Sequence, residues 1–314
     1  MNVARTFFKA ITIASTTLLL GLAGCAFDEP IDYTTGGSSS PTGGDGSVGL
    51  ASSNCNGSSF YNFVEWSCQF GTALDDYAEG TATDSSGNVF VAGWTHGGLD
   101  GNTNSGEADL FVVKYNSAGV KQWMQQLGTS ANDWVSGITT DSSGNVYVTG
   151  STYGGLDGNT NSGEGDLYVV KYNSAGVKQW TQQLGTSAND WTRNIITDSG
   201  GNVYVTGSTY GGLDGNTNSG TSDLFVVKYD SSGVKQWTQQ MGTSSDDSGD
   251  GITIDSNGNI YVAGTTKGSL DGNTHAGGHD VFVVKYDSGG IKQWTQQMGT
   301  YAATFTGGIT TDSS

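Results

Sequence analysis

The residues best suited to chemistry recur in one loop. Leu-Asp-Gly-Asn-Thr-Asn-Ser-Gly places Asp100, Asn102 and Asn104 at alternate positions, with Asp109 a little further on. Asp157, Asn159, Asn161 and Asp166 repeat the arrangement, as do Asp214, Asn216, Asn218 and Asp223. Oxygen side chains alternating along a glycine-bearing loop can surround a hard cation, and calcium is the natural candidate. The match to an EF-hand loop is incomplete, because Ser105 and Phe111 stand where that loop has its glycine and its final glutamate. The same residues also suit a loop without metal, in which Asp and Asn side chains bond to nearby backbone amides and hold a turn. The turn is the simpler expectation, and calcium is the ligand to test against it. A fourth copy carries Asp271, Asn273 and then His275, which makes it the poorest oxygen set.

Other candidates are weaker. Asp76, Asp133, Asp190 and Asp247 precede a strand in each copy and could form an acidic ring, although capping of local turns is the expected use. Trp66, Trp123, Trp180, Trp237 and Trp294 could stack on carbohydrate, but aromatics at a fixed place in each copy more naturally pack copy against copy. Nothing resembles a catalytic constellation. The three histidines, His96, His275 and His279, do not recur at a repeated position, and His275 and His279 lie in a glycine-rich loop rather than on a helix. No Gly-x-Ser-x-Gly with partners is present, and no phosphate-binding loop follows a strand.

These residues are positioned by a repeat. Residues 128–184 and 185–241 differ at 11 of 57 positions, leaving 46 identical, and looser copies occupy 71–127 and 242–298 with a partial copy at 299–314. A fixed period of this size marks units that bury their faces only against neighbouring units. Glycine is abundant (51 residues) and proline scarce (2), which suits many short strands joined by glycine turns. Hydrophobic content is 34%, low for a globular chain, but the apolar residues cluster with the repeat and so can form a core. The formal charge is -18. Without Arg5 and Lys9 it becomes 10 basic against 30 acidic residues, or -20, a surface that repels phosphates and argues against nucleic-acid partners.

Within residues 128–184 the pattern predicts four strands: Val135–Asp141, Val146–Thr152, Asp166–Tyr172 and Val177–Leu184. The turn Ser142-Ser143-Gly144-Asn145 joins the first two as a hairpin. The third, Asp-Leu-Tyr-Val-Val-Lys-Tyr, is an apolar run expected to be buried on both faces. Four antiparallel strands covered on both faces by copies of themselves describe an all-β propeller blade. A solenoid unit would be shorter, and a separate sandwich would need about 100 residues.

The phrases Asp-Ser-Ser-Gly-Asn-Val-Tyr-Val-Thr-Gly-Ser-Thr, Leu-Phe-Val-Val-Lys-Tyr and Gly-Val-Lys-Gln-Trp resemble the bacterial SBBP β-propeller repeat, over about Phe60–Ser314. The resemblance implies a β-propeller of four-stranded antiparallel blades and little about activity. Phe63–Phe70 would supply the last strand of one further blade and Gly299–Ser314 the first, with the strands between them missing. The expectation is a fragment of a larger propeller, of six to eight blades by the resemblance, with an irregular closed ring of about five as the alternative.

The N-terminus gives an address. Arg5 and Lys9 precede the apolar run Ala10–Leu20, which is too short for a membrane span and reads as an export signal over residues 1–24. Leu22-Ala23-Gly24-Cys25 then resembles a bacterial lipobox, which implies that Cys25 is acylated and becomes the mature N-terminus. Ala26 at the next position implies sorting to the outer membrane. Residues 25–54 form a lipid-anchored tether rich in Gly, Ser and Thr, and the propeller repeats follow over 55–314. Cys55 and Cys68, the remaining cysteines of an exported chain, are expected to form a disulfide. The expected function is a non-enzymatic binding or scaffolding module for a protein or glycan partner. Its alternatives are a propeller hydrolase or lyase acting on polysaccharide and a purely structural envelope protein.

Overall fold

A computed structural model describes residues 66–312 of the chain, in which sixteen strands form four separate four-stranded antiparallel sheets, one per repeat. The first blade contains β1 (Asp76–Thr83), β2 (Val89–Thr95), β3 (Asp109–Tyr115) and β4 (Lys121–Leu127). The second contains β5 (Asp133–Thr140), β6 (Val146–Thr152), β7 (Asp166–Tyr172) and β8 (Lys178–Leu184). The third contains β9 (Asp190–Thr197), β10 (Val203–Thr209), β11 (Asp223–Tyr229) and β12 (Lys235–Met241). The fourth contains β13 (Asp247–Ile254), β14 (Ile260–Thr266), β15 (Asp280–Tyr286) and β16 (Lys292–Met298). Strands pair in chain order, and the first strand of each blade packs on the first strand of the next, so β1, β5, β9 and β13 are innermost. This is the expected β-propeller architecture. The expected second and third strands of the template repeat match β6 and β7, whereas β5 begins two residues early and β8 one residue late.

The hairpin turns are held by their acidic residue. Asp141 Oδ1 accepts from the Ser143 and Asn145 amides at 2.9 and 3.0 Å, while Oδ2 accepts from Asn145 Nδ2 and Tyr147 Oη. Gly144 takes the positive φ of 74° that closes the turn without a Cβ penalty. Burial raises the Asp141 pKa, but these donors outweigh it and hold the carboxyl below its usual range. The same contest, won by hydrogen bonds from Asn259 and Tyr261, lowers Asp255 from 3.8 to about 2.

The two middle strands of each interior blade are buried, with only Lys228 of β11 partly exposed, because each of their faces meets a different blade. Val146, Val148, Tyr168 and Val170 pack on Phe90, Ala92, Leu110 and Val112 of the blade before. Tyr147, Leu167 and Val169 pack on Val203, Val205 and Phe225 of the blade after. The joint is locked at the rim by strand-four tryptophan. Trp123 Nε1 donates to Ser174 O at 3.1 Å and Lys114 Nζ donates to the same carbonyl at 3.0 Å. Gly176, at φ 81°, lies against that indole, where a Cβ would come within 2.7 Å of the ring. Trp180, Lys171 and Gly233 repeat the arrangement at Ser231. Trp66, Trp123, Trp180 and Trp237 therefore pack copy against copy, while Trp294 of the fourth blade is exposed and touches Tyr261 of its own blade.

The ends extend the same pattern. Trp66 Nε1 donates to Ser117 O, as Trp123 does one repeat later, and Trp66, Cys68 and Phe70 cover the outer face of the first blade. At the other end the Thr304 amide donates to His279 O at 2.8 Å, and Thr311 Oγ1 donates to Ile254 O at 3.1 Å. These match the contacts of Asp247 with Ser222 and of Thr197 with Thr140 between complete blades. Both end segments thus occupy the places of the expected partial blades, although neither is a regular strand. Cys68 is disulfide-bonded. Cys55 and Cys25 lie outside the described residues.

Every inner strand carries a bulge. Ala78 pairs with Gly93 and Gly80 with Ala92, which leaves Glu79 without a partner on β2. Ser136, Arg193 and Asp250 are skipped in the same way on β5, β9 and β13. Opposite each bulge stands a glycine; a Cβ on Gly207 would meet Trp191 O at 1.9 Å, so no side chain fits. Gly207→Ala is expected to lower stability by about 1–3 kcal/mol, read as a shifted urea midpoint. The Asp255 carboxylate adds stability that is complete above its unfolded value of 3.8 and lost as pH falls through about 2. The gap in urea stability between the native chain and Asp255→Asn should accordingly shrink over that window.

Candidate functional site

The loop residues with the most promising spacing do not converge on one point. Each loop contains a one-turn 3-10 helix, Leu99–Gly101, Leu156–Gly158, Leu213–Gly215 or Leu270–Gly272, whose central aspartate takes a left-handed φ of 54–56°. Asp100 pairs with Lys121 at 2.5 Å, and Asp157 and Asp214 pair with Lys178 and Lys235. Asn102, Asn159 and Asn216 turn inward, each donating through Nδ2 to the leucine carbonyl three residues back at 2.8 Å. Asn104 donates to Glu107 O and accepts from the Gly106 amide, Asn161 donates to Tyr153 O, and Asn218 donates to Tyr210 O. Asp109, Asp166 and Asp223 are fully buried, each accepting through Oδ2 from a serine amide and from a strand-four glutamine, as Asp109 does from Ser105 and Gln126. Their second oxygens are buried without a hydrogen-bond partner, 2.0 Å from where a Cβ on Gly128, Gly185 or Gly242 would stand. The candidate calcium ligands thus work separately in holding the loop, and no cluster of three or more acidic, histidine or cysteine side chains suited to a metal occurs among the described residues.

Asp133, Asp190 and Asp247 do not form an acidic ring either. Asp133 is fully buried, accepts from the Thr129 amide at 2.6 Å and from Thr152 Oγ1 at 2.5 Å, and burial pushes its pKa up. His275 lies beside Asp280 and His279 beside Phe305, so the two histidines serve different contacts.

An open cleft of about 500 Å³ lies instead on the inner strands, lined by Glu79, Trp94, Trp134, Ser136, Thr192 and Arg193. A smaller adjoining recess adds Ser151 and Trp191. Three of its linings are bulge residues, which fits the use of bulges to re-aim side chains next to functional sites. The chain has eight tryptophans; five mark the repeat, and the other three, Trp94, Trp134 and Trp191, all line these spaces. Trp94 stacks on Tyr77 with centroids 4.1 Å apart, meets Trp134 edge-to-face at 4.5 Å, and donates from Nε1 to Glu79 Oε1 at 3.1 Å. Thr192 Oγ1 donates to Ser136 Oγ at 3.2 Å. Asp250 is half-buried on the next bulge; burial raises its pKa against the hydrogen bond from Ser248 and the nearby Arg193 charge.

Sequence reasoning concentrated on what is constant and passed over this site, whose residues stand at the positions that vary between repeats. The bulge position reads Glu79, Ser136, Arg193, Asp250, and the position two before it reads Tyr77, Trp134, Trp191, Ser248. A position held constant serves the fold common to all blades, whereas one that varies amid near-identity is free to serve something else.

Comparison with known proteins agrees with the architecture. Residues 65–100, 122–157, 179–214 and 236–271 match the SBBP beta-propeller repeat, at the 57-residue interval that separates the blades. The chain is 30% identical over 231 residues to the regulatory protein FlaEY of Caulobacter vibrioides, covering 63% of this chain and 24% of that protein. It is 25% identical over 233 residues to an uncharacterized WD repeat-containing protein, L264, of Acanthamoeba polyphaga mimivirus, covering 57% of this chain and 16% of that one. The chain therefore spans less than a quarter of the length of these relatives. Among solved structures, a protein of unknown function from Bacteroides caccae aligns with a TM-score of 0.31 at 12% identity, over 75% of this chain and 86% of that one. A luciferin-regenerating enzyme aligns with a TM-score of 0.33 at 12% identity, over 72% and 77%.

With Asp157 and Asp214 held by Lys178 and Lys235 and the loop asparagines turned to backbone carbonyls, millimolar calcium is expected to leave the thermal midpoint where EGTA leaves it. A rise of several degrees that vanishes in the double variant Asp157→Ala, Asp214→Ala would instead make the loops metal sites.

Proposed function

We propose that the chain is a binding module whose propeller holds a glycan or protein ligand in the inner-strand cleft, and that it is exported and anchored through acylated Cys25 at the outer membrane. The observation that carries the binding role is the placement of Trp94, Trp134 and Trp191, the tryptophans outside the strand-four series, around one open cleft. Large aromatic rings at a water-exposed concavity are costly to leave bare and supply much of the energy of recognition when covered. The anchor rests on the lipobox-like Leu22-Ala23-Gly24-Cys25 and the tether behind it. Binding rather than turnover is favoured by the arrangement of charge on the bulges. Glu79 and Asp250 stand on the first and fourth blades with Ser136 and Arg193 between them, whereas glycoside hydrolysis needs two carboxyls about 5–10 Å apart across one bond.

The fourth blade supplies its own control substitution, because Ser248 occupies the place of Trp134 in an otherwise similar strand. Trp134→Ser is therefore expected to fold, with an unchanged far-ultraviolet spectrum, and to lose about tenfold or more in affinity on arrays of glycans and peptides. Array binding that is indifferent to this substitution would remove the cleft as the ligand site. Cys25→Ala is expected to abolish incorporation of labelled fatty acid into the full chain.

A further inference from the structure

Arg193 is the only arginine apart from Arg5. Among the described residues it is also the only cation whose head group has neither a hydrogen bond nor an ion pair. Lys121, Lys178, Lys235, Lys267 and Lys292 pair with aspartates. Lys114, Lys171 and Lys228 donate to serine carbonyls of the next blade, and Lys285 bonds to Tyr261. The Arg193 guanidinium is exposed and lines the cleft from the β9 bulge, one blade from Trp134. In a chain of charge -18, an arginine that pairs directly with no carboxylate, although Asp250 is near enough to feel its charge, and that shares a cleft with indole rings is well suited to receive an anion from outside.

Resting on the binding role argued above, we propose that the ligand is a saccharide bearing an isolated carboxylate, with Arg193 pairing to that carboxylate and the Trp134 indole stacking on the face of a sugar ring. The carbon-bound hydrogens on a pyranose face carry slight positive charge and meet the negative face of an indole, while the ring edge keeps its hydroxyls for polar neighbours. Ser136, Thr192 and Ser151 present such neighbours within the same two spaces. Guanidinium binds carboxylate through two parallel N–H donors, a geometry that lysine does not reproduce. Glu79 sets the polarity of the cleft. Its carboxylate is tied to Trp94 Nε1 at the end away from Arg193 and accepts hydroxyls there while repelling a second anion.

The overall charge limits how acidic the ligand is. A polyanion would face the repulsion of the whole surface, whereas one carboxylate among neutral hydroxyls feels chiefly what lies within a Debye length of about 8 Å at physiological salt. The favoured ligand thus carries one acidic sugar among neutral ones. An acidic peptide offers the carboxylate without the flat ring, and is the alternative that the test separates.

The test is isothermal titration of the full chain and of Trp134→Ser, Arg193→Ser and Arg193→Lys with paired probes. These are sialyllactose against lactose, a glucuronic-acid-bearing xylo-oligosaccharide against its unsubstituted form, and a glutamate-rich peptide. Arg193→Ser installs the residue that Ser136 supplies on the neighbouring bulge, so loss of fold is not expected. The expected result is that an acidic saccharide binds at least about tenfold more tightly than its neutral partner, that both Arg193 variants erase this preference, and that Trp134→Ser weakens both members of the pair. Equal binding of acidic and neutral saccharides, or binding of the peptide alone, overturns the carboxylated-saccharide assignment. If that binding is still weakened by Trp134→Ser, the cleft stands as a binding site. No binding by any probe overturns the saccharide assignment; binding on the arrays that Trp134→Ser does not weaken would overturn the cleft with it.

Discussion

A blade of this protein has two apolar faces and no means of covering either by itself. The two middle strands of an interior blade are buried along nearly their whole length, yet their side chains meet partners on different neighbouring blades. The joint between blades is thus the interaction on which everything else depends. It combines apolar packing in the middle with a rim in which a tryptophan and a lysine of one blade converge on a single serine carbonyl of the next. Gly176 and its equivalents let the indole lie flat against the turn, because any Cβ there would enter the ring. The near-identity of the blades follows from this geometry. Each surface must fit the blade before and present the same surface to the blade after.

That dependence explains which parts were legible in advance. The period, the four strands and the burial of the third strand could be read because each is stated several times over, and a residue such as Trp123 announces its packing role by recurring every 57 positions. The loops were harder. Alternating Asp157, Asn159 and Asn161 resemble a cation cradle when written as a line, but Asp157 swings out to Lys178 through its left-handed backbone while Asn159 turns in to the Leu156 carbonyl. Spacing along a chain does not specify convergence when one residue changes the hand of the backbone. The two strand starts that were misplaced have a similar origin. Asp133 joins its strand because its amide reaches Ala108 of the preceding blade, a partner that no local pattern contains.

The inner cleft went unread for a different reason. Repetition is a strong signal and its exceptions are easily taken as drift. Trp94 stands where sister blades carry serine or threonine, Trp134 and Trp191 stand where the first blade has Tyr77 and the fourth Ser248, and Arg193 replaces residues that are acidic or small. Each substitution alone is unremarkable, since an inner strand tolerates many residues at a water-facing place. Their meaning depends on all of them facing the same open space, and that comes from the curvature with which blades pack, which strand patterns do not encode.

The bulge reconciles a symmetric scaffold with an asymmetric site. A regular strand commits alternate residues to opposite faces, so a residue changed for function would soon disturb a packed neighbour. Skipping one residue per inner strand removes that residue from the pairing ladder, and the glycine opposite keeps the strands close while accepting the extra backbone. Glu79, Ser136, Arg193 and Asp250 can therefore differ in charge and size while the strands on either side keep their register. Fold and the proposed recognition are thereby written in separate positions of the same 57-residue unit. A scaffold of near-copies can acquire a single directional cleft, with an arginine toward one end and a tethered carboxylate toward the other, without any blade losing the surfaces through which it is held.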